Sequence, residues 1–234
     1  MHALRTFALA CPLALLACGG APAKTADDAP KEEPQHEIKP QLKLKSELGT
    51  VDPDAVGRAF HALNARFGDC QTKGLDRVEV LGGKVAFFLR IGEDGSIKWA
   101  YLEDSELGDR DTEKCLLEVV RGASWPKPDG GDAEARYSME LPEQSTRPPN
   151  DWSSDKIAAA LGKHGDAIDK CKAGANAKFR ATMYVGPGGK VLAAGVSTSS
   201  KDGEDKADCL AEVLEKMHGL PSPGSWPAKV SFGL

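Results

Sequence analysis

The sequence has no Cys-x-x-Cys, no Cys-x-x-Cys-His and no two close pairs of Cys or His ligands. A catalytic dithiol, c-type haem attachment and a structural zinc site each need one of these spacings, so all three are set aside. There is no Gly-x-Ser-x-Gly either, and four of the five histidines, His36, His61, His164 and His218, fall at no mutually consistent positions. The chain is therefore expected not to be an enzyme, and no cofactor or metal is expected. Positive charge is also short: 30 Lys and Arg against 35 Asp and Glu give a formal charge of −5. That balance argues against nucleic acid and against an anionic membrane surface as partners. Finally, no apolar run is long enough to cross a bilayer, since the stretch from Ala3 to Ala17 is too short and contains Pro12.

What the chain has is repetition. Cys115 and Cys209 are 94 residues apart, and the same offset pairs Ile91 with Val185, Gly92 with Gly186, Gly95 with Gly189, Ser105 with Ser199 and Val119 with Val213. Upstream the offset is 101, pairing Val56, Phe60, Leu63, Phe67 and Cys70 with Ile157, Leu161, His164, Ile168 and Cys171. Seven extra residues after Cys70 account for the change and read as a longer loop. A period about one small domain long, used twice, points to duplication of a domain, not to a solenoid.

The amino-terminal region reads as a lipoprotein leader. Arg5 precedes an apolar run that ends Leu15-Leu16-Ala17-Cys18, small residues before a cysteine that becomes acylated once residues 1–17 are removed. Cys18 is thus the expected lipidation site, and the membrane is a partner through that lipid. Gly19, not aspartate, follows it, which is compatible with the outer membrane, facing the periplasm. Losing Arg5 takes the net charge to −6. Residues 18–50 are rich in Ala, Pro, Lys, Asp and Glu and carry too little apolar surface to offset chain entropy, so they read as a disordered tether.

Each copy reads helix, strand, strand, helix, strand. Asp52 and Pro53 begin a helix whose apolar face runs through Val56, Phe60, Leu63, Phe67 and Cys70. Ser153 or Ser154 begins its counterpart, where His164 stands in Leu63's place as an interfacial structural residue. Val85, Phe87, Leu89 and Ile91 alternate as a half-buried strand, turned back at Asp94-Gly95; Phe179, Ala181, Met183 and Val185 do the same, turned at Gly188-Gly189. Second helices carry Cys115 and Cys209, glycines at 122 and 219 end them, and short last strands lie at 135–141 and 228–234. The expected fold is α+β: two tandem domains, 51–141 and 153–234, joined by a linker at 142–152, each a three-stranded antiparallel sheet packed against two helices.

With Cys11 lost in the leader and Cys18 lipidated, four cysteines remain, one per helix. Only the pairing Cys70–Cys115 and Cys171–Cys209 gives both copies the same environment, and an exported protein permits it. In the chain-entropy picture each bridge stabilises by about 4 kcal/mol at most.

These residues together resemble the carboxy-terminal domain of the TonB and TolA type, and most of all the version found in the AgmX and PglI proteins of gliding myxobacteria. The resemblance is carried by the helix ending in Cys70, by Phe88-Leu89-Arg90-Ile91-Gly92-Glu93-Asp94-Gly95, and by Ser105, Cys115 and Trp125-Pro126-Lys127-Pro128. The second copy keeps Cys171, Gly189, Ser199, Cys209 and Pro221-Ser222-Pro223, with Leu220 where Trp125 would stand. The resemblance implies a domain that offers a sheet edge to an extended peptide or an envelope protein. The last strands are then the candidate edges, at Ala135, Tyr137, Met139 and Leu141 and at Ala228, Val230, Phe232 and Leu234. With neither a retained membrane helix nor a long proline-rich arm, the chain departs from an energy transducer. The expected role is a lipid-anchored binding or scaffolding protein of motility or secretion machinery. The competing expectation is a structural spacer whose domains pack on each other without a peptide ligand, and a periplasmic enzyme with a cleft between the domains comes third.

Overall fold

A computed structural model describes residues 48–234. The leader at 1–17, Cys18 and nearly all of the tether lie outside the described residues. In order the chain forms α1 (Pro53–Ala62), α2 (Asn64–Leu75), β1 (Gly83–Ile91), β2 (Ile97–Ser105), α3 (Arg110–Arg121), β3 (Ala133–Leu141), β4 (Asn150–Trp152), a 3-10 turn (Ser154–Lys156), α4 (Ala158–Lys172), β5 (Phe179–Val185), β6 (Val191–Thr198), α5 (Lys201–Glu215) and β7 (Ala228–Gly233). The fold is α+β, with two sheets among the described residues. The first is antiparallel in the order β2-β1-β3; the second is mixed, in the order β4-β7-β5-β6, with β4 parallel to β7.

Local chemistry explains most of these elements. Asp52 caps α1 by accepting from the Asp54 amide at 2.9 Å, with Pro53 in the first turn. The apolar face then continues as read, but in two helices: the chain breaks at Leu63, where no proline or glycine stands, and resumes at Asn64. Both hairpins turn where glycine permits a positive φ, 83° at Gly95 and 78° at Gly189. A side chain at either would also collide with backbone, that of Trp125 in one hairpin and Leu220 in the other.

Two hydrophobic clusters result. In the first, Phe60 meets Phe87, Trp125 and Tyr137, stacked on Tyr137 at 4.0 Å, and Trp125 donates its indole N–H to Val120 O at 3.0 Å. The second is built on Met183, Val185, Val196, Leu210, Leu214 and Val230, without aromatic stacking. The two disulfides form as read: Cys70–Cys115 ties α2 to α3, and Cys171–Cys209 ties α4 to α5.

Three features differ from the expected pattern. The second sheet has four strands, because residues 150–152 of the expected linker pair with β7. The seven-residue insertion is core, not loop: Val78, Val80 and Leu81 are fully buried, and Tyr184 of β5 reaches across to donate to Val80 O at 3.4 Å and Gly82 O at 3.5 Å. The described residues accordingly form one compact unit. Among the described residues, no helix is long and apolar enough to cross a membrane.

Candidate functional site: the outer edge of β3

β3 is an edge strand by position, paired with β1 from Gly83–Leu141 to Ile91–Ala133 and with nothing on its other side among the described residues. Its side chains alternate. Ala135 and Leu141 are buried and Tyr137 and Met139 half-buried beneath the helices, whereas Glu134, Arg136, Ser138 and Glu140 are exposed on the open face. Three cavities border it. One of about 460 Å³ lies between Tyr137, Met139 and the α1–α2 corner at His61, Asn64 and Gly68. Another, of about 200 Å³, lies between Ala135 and Val51, Pro53 and Val56. The third, of about 370 Å³, opens on the other face between Lys84, Ala86, Ser138 and Glu140. An added strand needs a row of free backbone groups and room for alternate side chains on both faces, and β3 offers both.

The open face beside β3 is partly covered. Phe88 and Tyr101 stack at 4.8 Å, the Arg136 guanidinium lies 4.7 Å over Phe88, and the Tyr101 hydroxyl donates to Ser199 O at 3.5 Å. Burial, with Glu103 nearby, raises the Tyr101 phenol above its ordinary value and keeps it a neutral donor.

The other four candidate positions are covered on the outer side along Ala228–Val230. Ala228 and Val230 are fully buried in β7, which has β5 on one side and β4 on the other along Ala228–Val230. Lys229, its amine lowered by burial, donates to Gly82 O at 2.8 Å. Phe232 is also buried in the second cluster, and the Leu234 amide bonds Phe179 O. Of the two candidate edges, β3 has no strand on its outer side among the described residues, and β7 has β4 along Ala228–Val230.

The sequence reading missed a dense polar junction between the two sheets. Glu113 of α3 is fully buried and accepts from Ser105 Oγ at 2.7 Å and from the Val196 amide of β6 at 3.0 Å. Burial pushes its carboxyl up to about 7, against the pull of Arg110. The only signal in the sequence was an acidic residue at an otherwise apolar helix position. His164 meets His218 edge-on at 5.5 Å, and no group of three or more metal-ligating side chains occurs among the described residues. Compared with family profiles, with characterised proteins and with solved structures, the chain matches none.

Proposed function

We propose that this chain is a lipid-anchored cell-envelope protein, held through Cys18 in the outer membrane, and that it binds or scaffolds other envelope proteins by accepting an extended peptide on β3. On this reading the two halves are copies of one helix-strand-strand-helix-strand unit of the TonB-related kind, closest to the AgmX and PglI version, and the process served is motility or secretion. The observation that carries the proposal is the unpaired outer edge of β3 with cavities on both faces. A charged open face keeps such an edge soluble while leaving its backbone groups available.

A second reading, the structural spacer, is favoured by the close packing of the halves into one unit and by the β4 cover on β7. Photocrosslinking separates the two. A photoreactive residue at Ser138 or Glu140 of β3, in envelopes of the native host, should capture one specific protein, whereas the same group at exposed Lys163 of α4 should not. Crosslinks from β3 confined to the chain itself would leave the spacer.

A further inference from the structure

Two of the ion pairs at the junction fall at the repeat's own spacing, and Arg110 Nε also bonds Asp208 Oδ1 at 2.7 Å. Arg110 Nη2 bonds Glu204 Oε1 at 2.8 Å and Lys114 Nζ bonds Asp208 Oδ2 at 3.2 Å, and each pair is 94 residues apart. A residue that meets its own counterpart is the signature of an isologous, two-fold contact. The neighbouring contacts obey the same exchange: α3 lies against β6 as α5 lies against β2, while α3 meets α5 and β2 meets β6. The next counterparts, Arg121 and Glu215, sit alike on their own sheets. Arg121 donates to Ala100 O at 2.8 Å, and Glu215 accepts from the Ala194 amide, Ala100 and Ala194 again being 94 apart. Between the halves, Arg121 also lies 3.6 Å from Glu204.

Two identical units meeting this way would bring like charge against like charge at every one of these positions. Here all three cations stand on the first half and all three anions on the second. We propose, resting on the reading of the halves as copies, that the junction is a fused two-fold contact in which this segregation makes pairing heterotypic. The α3 surface accepts an α5 surface and rejects its own kind. The partner it fits is a second half, either its own or that of another copy of this chain exchanged across residues 142–149. Charge opposition of this kind fixes which partner is chosen more than it adds affinity. The device leaves β3 free, since β2, at one edge of the first sheet, meets β6, while β3 is the opposite edge.

Three full-length variants test this. Lys114→Glu makes that pair acidic on both sides, Asp208→Lys makes it basic on both sides, and the double variant restores opposition there while Glu204 still holds Arg110. Each mismatched chain should melt about 2–4 °C below the parent, and the double variant should recover most of that loss. The two mismatched chains, unfolded with disulfides intact and refolded together, should give a 1:1 two-chain complex by native mass spectrometry, which neither gives alone. Failure of the double variant to recover would overturn the heterotypic contact. Full recovery without a mixed complex would overturn the extension to a second copy. Failure of the β3 crosslinks would touch neither outcome, so this inference and the binding role fail separately.

Discussion

Corresponding segments of the two halves cover their last strands differently. At the upstream offset of 101, Gly49, Thr50 and Val51 correspond to Asn150, Asp151 and Trp152. In the second half this segment is β4, which runs parallel along Ala228–Val230 and shields β7. In the first half it stops short: Thr50 forms a single antiparallel bridge to Asp129, and the Gly49 amide donates to Asp132 O at 2.8 Å, both before β3 begins. The turn that receives it contains Gly130 and Gly131, with φ of 83° and 134°, conformations that other residues resist. A short diversion of one segment thus separates an open edge from a closed one. Duplicated sequence need not mean duplicated function.

The sharpest contrast in stability lies in the cores. Trp125→Ala empties the site between Phe60 and Val120 and should cost about 3–5 kcal/mol, whereas Leu220→Ala, its second-half counterpart, should cost nearer 2–3 kcal/mol. Chemical denaturation of both variants checks the order; equal losses would mean that the aromatic cluster adds nothing to the first half. The disulfides should instead make the halves look alike. The bridges span 45 and 38 residues, so replacing either cysteine pair with serine should cost about 2–4 kcal/mol with little difference between them.

Glu113 predicts a pH response in an unusual direction. Its carboxyl titrates at about 7 when folded and near 4.5 when unfolded, so the folded chain binds the extra proton between those values. The contribution is complete below about pH 4.5 and is lost as pH rises through 7, amounting to roughly 3 kcal/mol. The melting temperature attributable to this group should therefore fall from pH 5 to pH 8, and Glu113→Gln should flatten that slope. An unchanged slope in the variant would place the titration elsewhere. The smallest contrast concerns helix starts. Asp52→Ala removes a side-chain cap and should cost about 1 kcal/mol, while Ser153→Ala, which removes no cap from the α4 amides, should stay within about 0.5 kcal/mol.

Much of this architecture was legible in residue order. Alternation gave β1 and β5, glycine turns gave the hairpins, and the repeat selected the disulfide pairing, because each of these rests on local chemistry or on symmetry between copies. What escaped depended on contacts between distant residues. Val78, Val80 and Leu81 read as a loop because their burial comes from the first cluster, which Tyr184, about a hundred positions later, also joins. β4 was hidden in a proline-containing linker, since three residues carry no periodicity and gain their structure only from β7. The junction charges carried no signal in the sequence, since opposite signs at a 94-residue spacing acquire meaning only once α3 and α5 are seen to meet.

Amide hydrogen exchange on the full chain, read residue by residue along both last strands, tests the central contrast most directly. The account predicts that alternate amides of β3 between Glu134 and Glu140 exchange quickly while the rest are protected, and that every amide of Ala228–Val230 not facing solvent is slow. Protection of all the β3 amides in the isolated protein would contradict it, because the edge assigned to a partner would already be filled.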